Sequence, residues 1–282
     1  ANTYGGYLAN RQNPGWRANM TTHLEQITNR MLSLGLLELE GDLVRLTMLG
    51  RACGQSSLSL QSAMRLVEIL KTSGLQQITA EILMVLVQVL PEADSTYTPM
   101  FKRGNKESEM PRKAAGRVGN NVIGQLQRFI DGDQFQYYGR CKRAAILFDW
   151  IGGSPVERIE ADYTMNPYSG KVGFGDIQRI AEATKYHFRT AAPIAELILI
   201  EKGPSGQGVE TLLAQLEFGI PADSLDLLKL KIRFERGEYL ALCNAGIKDC
   251  KVFWSAAPEV LSGIFGKDRL AAIEKNRDKV NA

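Results

Sequence analysis

The chain has 282 residues, 44% of them hydrophobic and 23% charged, with a net charge of +3; it can build a sizeable core as two domains or three small ones. A charge so near balance does not by itself demand a nucleic-acid partner. Cys53, Cys141, Cys243 and Cys250 are scattered without C-x-x-C spacing, and His23 and His187 are the only histidines, so a zinc site would need distant ligands to converge. The thiols read as buried groups in a reducing compartment. The longest apolar run, 194–200, contains Glu196 and is far too short to span a bilayer. With no secretory or transit pattern at the start, the expected location is cytoplasmic. The opening at Ala1 suggests a piece of a longer polypeptide.

Residues 20–34 place Leu24, Ile27, Met31 and Leu34 at helical spacing, with Thr21 or Thr22 as cap and Gly35 as stop. Two alternating runs, 36–40 and 43–46, flank Gly41 and Asp42 and read as a β-hairpin. A helix followed by a hairpin is the second half of a winged helix. This helix offers only Arg30 as a strong phosphate or base contact, so a structural winged helix is favoured over one that reads a DNA groove. Residues 47–51 lead into another helix, and 57–60 cap one ending near Leu70. The stretch 75–90 is strongly apolar and helical until Pro91 ends it, and 92–111 form a long polar connection.

Between Lys102 and Arg143, ten Lys and Arg stand against Glu107, Glu109, Asp131 and Asp133, with Phe101, Phe129, Phe135, Tyr137 and Tyr138 interleaved. Two readings stay open: a surface that tracks a phosphate backbone, or a solvated helical face. Helices are expected around 120–130 and 139–150, then a break at 152–155, a short helix over 156–163 and a glycine-bearing loop over 165–175.

The chain is organised around 175–189. Ile177, Ile180, Ala181, Thr184 and Phe188 fall on one side of a helix begun by Asp176, while Arg179, Glu182, Tyr186 and Arg189 fall on the other. Arg179 and Tyr186 lie two turns apart, about 10 Å along the axis. A cation followed by a flat ring suits a single strand, one group for a phosphate and one for a base. The alternative from the helix alone is that Tyr186 packs on a second layer and Arg179 pairs with Glu182. Pro193 interrupts the pattern, 194–200 continue as a buried helix, and 203–208 read as a linker. Short helices joined by Gly-Ile turns follow, in the manner of helix-hairpin-helix units that hold a phosphate on backbone N–H groups.

The order of these parts resembles the Ski-like branch of superfamily 2 helicases, which holds the archaeal Hel repair helicases, the helicase half of polymerase theta and the Mtr and Brr RNA helicases. The likeness is carried by L-T-M-L-G-R at 46–51, S-L-S-L at 57–60, K-R-A-A-I-L-F-D-W-I at 142–151, V-E-R-I-E-A-D-Y at 156–163, and G-D-I-Q-R-I-A-E-A-T-K-Y at 175–186. T-Y-G at 3–5 fits the same entry. The resemblance implies that the last phrase is a ratchet helix lying across the exit of a translocation channel. The family motif places an arginine and an aromatic, usually tryptophan, seven positions apart, and Arg179 and Tyr186 stand there. Tyrosine gives a smaller stacking face and hence a weaker grip. The implied C-terminal helix-hairpin-helix domain departs from its pattern: the first hairpin reads Lys231-Ile232-Arg233-Phe234-Glu235 without Gly-x-Gly.

No G-x-x-x-x-G-K-[ST] occurs, since the lysine of Ser169-Gly170-Lys171-Val172 is followed by valine, and no Ser-His-Asp, Cys-His or paired-carboxylate set stands out. No catalytic residue or metal ligand is therefore assigned. The resemblance covers 3–280 and only the accessory half of those enzymes, so ATP and magnesium would belong to motor domains missing from this fragment. The expected assembly is mainly α: a winged helix (1–72), a ratchet helical bundle (73–202) and a small helix-hairpin-helix-like domain (203–282). It is expected to be a monomer, away from membranes, that guides a single-stranded or 3′-tailed nucleic acid, DNA favoured over RNA, leaving its own motor domains. Arg179 would take a phosphate, Tyr186 would stack on a base, Lys185 and Arg189 would add flanking charge, and Lys229, Lys231, Arg233 and Arg236 would supply charge near the C-terminal end. The alternatives are a protein-interaction scaffold without nucleic-acid contact, and a winged-helix regulator that prefers a duplex sequence.

Overall fold

The computed structural model describes residues 4–101, 106–130, 132–166 and 168–280. Helices α1 (Tyr4–Gln12) and α2 (Trp16–Ser33) precede an antiparallel hairpin, β1 (Leu37–Glu40) and β2 (Leu43–Leu46), with Leu37 opposite Leu46 and Glu40 opposite Leu43. Gly41 takes φ +61° at the first turn position, which a side chain would resist. The next helix, α3 (Met48–Gln55), starts on Thr47, whose Oγ1 accepts the Gly50 N–H at 3.0 Å and donates to the Gly35 carbonyl at 2.7 Å. Gly50 lets α3 ride directly on the chain entering the hairpin, because a Cβ there would stand 2.0 Å from the Leu36 carbonyl oxygen. The phrase Leu46 to Arg51 is thus a cap followed by a close approach.

Only part of the predicted first helical stripe is covered. Leu34 is buried and Ile27 and Met31 are half-buried, but Leu24 is 56% exposed. Arg30, the one strong nucleic-acid contact expected on this helix, pairs with Glu68 at 2.9 Å on α4 (Leu60–Thr72).

The 75–90 stretch forms α5 (Ala80–Leu86) and a 3₁₀ turn (Val87–Val89), and Pro91 then opens α6 (Pro91–Ser95) instead of merely closing what precedes it; its missing N–H is harmless at a first helical position. After a second 3₁₀ turn (Lys106–Glu109) come α7 (Met110–Val118), α8 (Asn120–Gln125), α9 (Gln134–Ile151) and α10 (Val156–Tyr163). The central helix, α11 (Phe174–Leu199), runs straight through Pro193, and α12 (Gly206–Phe218) packs back along it. The expected linker at 203–208 is a tight reversal: Ser205 accepts the Gly208 N–H at 3.1 Å and caps α12. One continuous core extends from Leu34 to Leu216 and takes in the hairpin end, the bundle and α12.

A second core runs from Ile220 to Ile273. It is built by a 3₁₀ stretch (Ala222–Leu230), α13 (Arg236–Asn244), α14 (Cys250–Ser255), α15 (Pro258–Phe265) and α16 (Lys267–Val280). Phe234 stacks on Phe265 with centroids 5.2 Å apart and meets Tyr239 edge-on at 5.2 Å. The hairpin lacking Gly-x-Gly therefore gives its turn to the core: Lys231 adopts φ +53° and Phe234 is buried. Arg236 fastens this unit to the bundle. Its Nε donates to the Gly219 carbonyl at 2.8 Å, a terminal nitrogen donates to Ser154 at 2.7 Å, and the guanidinium lies 4.3 Å from the Trp150 ring centroid.

Candidate nucleic-acid interface

Helix α11 is held by one apolar side and one buried polar chain. Ile177, Ile180, Ala181, Thr184 and Phe188 are all buried, as periodicity predicts. Asp176 sits three residues past the cap and accepts the Gly173 N–H at 3.0 Å, so the helix begins slightly earlier than the carboxylate suggested. Thr184 accepts a 3.0 Å hydrogen bond from Gln88, whose Oε1 accepts from Arg143 at 2.9 Å, and Arg143 pairs with Asp94 at 3.2 Å. A half-satisfied chain of this kind in the core would be costly, so these bonds fix which face of the helix points outward.

The outward face carries the two residues the sequence singled out. The Arg179 side chain is 52% exposed and Tyr186 is 53% exposed. Arg179 pairs with Asp176 at 3.1 Å, one turn back, and not with Glu182. Such an exposed pair is worth only about 0–1 kcal/mol, so a phosphate can displace the carboxylate. The Arg179 guanidinium also lies 5.9 Å from the ring centroid of Tyr97, a neighbour that sequence spacing could not supply because Tyr97 stands in the connection after α6. Tyr186 meets His187 edge-on at 5.5 Å. His187 is buried, its Nδ1 lacks a hydrogen-bond partner, and burial pushes its pKa down despite Glu92.

The other expected contacts divide. Lys185 is largely covered and lies 3.6 Å from Glu217, while Arg189 is exposed beside a cleft of about 590 Å³ that also holds Glu196, Glu210 and Glu217. Arg233 is exposed and, with Arg236, lines a groove of about 820 Å³ reaching Phe174 and Gln178 at the start of α11. Lys229 pairs with Asp226 at 2.6 Å, and Lys231 is exposed; neither lines that groove. Arg236 is already engaged: its guanidinium donates to the Gly219 and Ser154 carbonyls and, at 3.5 Å, to that of Trp150, it lies over the Trp150 ring, and burial lowers its pKa to about 10. Those contacts fasten the C-terminal unit to the bundle.

In the basic stretch 102–143, for which two surface readings stood open, part of the charge points inward: Arg140, Lys142 and Arg143 are buried. Arg140 is fully buried and donates to Asp94 at 2.8 and 2.6 Å and to the carbonyls of Leu126 and Arg128. Lys142 pairs with buried Glu107 at 3.0 Å. Arg117 pairs with Asp149 at 2.6 Å and Arg128 with Glu68 at 3.2 Å. Lys102, Arg103 and Asp131 lie outside the described residues. Cys53 and Cys141 are buried and Cys243 and Cys250 half-buried, all four as free thiols. Among the described residues no cluster of His, Cys, Asp or Glu is placed to hold a metal, and no helix is long and apolar enough to cross a membrane.

In class, this is a mainly helical chain that is helicase-related in sequence over about half its length. The particular relative is the ATP-dependent DNA helicase Hel308 of Thermococcus kodakarensis, 28% identical over 139 residues, a stretch that covers 49% of this chain and 12% of that protein. No family model matches the chain.

Proposed function

We propose that this chain is an accessory, strand-guiding part of an ATP-dependent superfamily 2 DNA helicase. In this reading α2 and the hairpin belong to a winged helix, α11 is the ratchet helix of a helical bundle, and the C-terminal unit is a degenerate helix-hairpin-helix domain. One observation carries it: Arg179 and Tyr186 stand exposed and in line on a long helix whose opposite side is buried, and Hel308 is a DNA helicase. A phosphate displaces Asp176 from Arg179 while a neighbouring base stacks on Tyr186. Both contacts tolerate any base, so the grip follows a strand without reading it. ATP and magnesium act in motor domains outside this chain, and the chain alone is expected neither to hydrolyse ATP nor to unwind.

Fluorescence anisotropy with a labelled single-stranded oligonucleotide tests the proposal. Wild type should bind weakly, with affinity falling steeply as salt rises. Tyr186→Ala should remove about 1–3 kcal/mol of stacking, and Arg179→Ala should lower the salt slope by about one. Unchanged binding in both variants refutes the assignment. Competition between DNA and RNA strands decides which is preferred.

A second reading, a protein-docking scaffold, is favoured by the exposed Leu39, Val44 and Leu46 on one face of the hairpin, with Met20 and Leu24 of α2 also exposed. Leu39 and Val44 are directly opposite one another and share a hairpin face with Leu46, and exposed apolar faces of this kind mark interaction sites. Capture of a protein partner with no oligonucleotide binding at low salt would replace the strand-guiding account.

A further inference from the structure

Beside Arg179 lies a groove of about 480 Å³ between the connection after α6 and the start of α9, with Tyr97, Thr98, Phe135, Gln136 and Arg143 along it. Tyr97 remains 62% exposed even with the Arg179 guanidinium 5.9 Å from its ring centroid. The groove is built on a rigid floor: Arg143 is 4% exposed and is held by Gln88, Thr98 and Asp94. Its charges choose between the parts of a nucleotide. Asp94 and Asp133 both line it. The Asp94 charge is balanced by Arg140 and Arg143, whereas Asp133 is turned to capping α9, where it accepts the Phe135 N–H at 2.9 Å. With its carboxylates balanced or engaged and its lining cation Arg143 held by Asp94, the groove offers a phosphate no uncommitted charge, while Tyr97 and Phe135 offer a neutral ring a stacking face.

We infer that Tyr97 is a second stacking platform, and that the groove beneath it receives an unpaired base of a single strand whose phosphate rests on Arg179. The inference builds on the strand-guiding reading and adds a contact on the far side of the guanidinium from the α11 surface. A base at Tyr97 and another at Tyr186 then bracket one phosphate, which sets strand position more firmly than one ring can.

The test uses the full chain and single-stranded oligonucleotides carrying a photoreactive halogenated pyrimidine at successive positions. Irradiation should produce a cross-linked peptide containing Tyr97, and anisotropy should show Tyr97→Ala weakening binding by about five-fold or more, with Tyr97→Phe within about two-fold of wild type. Tyr97 is on the surface, so its replacement leaves the core intact. If Tyr97 serves only to position Arg179, binding falls in Tyr97→Ala but no cross-link forms there, and the inference is overturned. Normal binding by Tyr97→Ala alongside losses in Arg179→Ala and Tyr186→Ala also overturns it while leaving the strand-guiding reading intact. No binding by any form removes both.

Discussion

Replacing Asp94 with asparagine removes the one carboxylate shared by two interior guanidiniums. Asp94 accepts from Arg140 at 2.8 and 2.6 Å, from Arg143 at 3.2 Å and from Gln136 at 2.8 Å. Arg140 is 0% exposed and Arg143 4%, so water cannot take over the lost charge. Each cation keeps some neutral acceptors: Arg140 has the Leu126 and Arg128 carbonyls, and Arg143 has Gln88. Removing one partner of a buried pair costs about 3–5 kcal/mol, and the retained acceptors keep the loss within that range instead of doubling it. Against a total stability of about 5–15 kcal/mol, that is a large fraction, equivalent to a fall in Tm of about 6–20 °C for a chain of this size. Urea unfolding followed by circular dichroism measures it directly. A loss below about 1 kcal/mol would mean that the cluster is solvated, and the account of how α11 is oriented through Arg143 and Gln88 would fall with it.

Arg236→Ala should cost about 2–4 kcal/mol through two charged hydrogen bonds and the ring contact and should raise amide exchange in 220–273 more than in the bundle; equal protection in both units would show that Arg236 does not fasten them. His187 has its pKa lowered by burial, so below about pH 6.5 the unfolded chain takes up a proton that the native chain resists. Its contribution to stability is then complete above that value and declines as pH falls from there toward the folded-state value. Thermal melts between neutral pH and pH 5 should therefore slope less steeply for His187→Gln than for wild type, and parallel slopes would contradict the burial effect. At Glu92 burial is the largest single effect and raises the pKa, but hydrogen bonds including those from Ser62 and Ser59 together lower it by more, so the net shift is downward; its contribution is lost at lower pH, below about 4.5, outside this window.

Where one periodic segment decides its own burial, the sequence was informative. The five apolar positions of α11 are all inside, Arg179, Tyr186 and Arg189 are outside, and α10 has the expected bounds of 156–163. Where burial depends on distant partners, it was not. The ion pairs that turn the basic stretch inward join residues 46, 49 and 35 positions apart, and no local count of charge reveals them. Pro193 failed as a breaker because its exposed position on a long packed helix lets tertiary contacts on the other side carry the chain through. The Tyr97 contact was invisible for the same reason as the ion pairs, since it joins a loop to a helix some eighty residues on.

The unbroken packing from Leu34 to Leu216 also has a mechanical consequence. In the strand-guiding reading, a pull on a strand at Tyr186 enters the packed core that α11 shares with α4, α9 and α12. The seam lies just beyond Leu216, where Gly219 leads into the second core and Arg236 bolts across it. In that reading, yielding under load is expected to begin at this seam, which is crossed by Arg236 and by the ring contact between Phe218 and Tyr239.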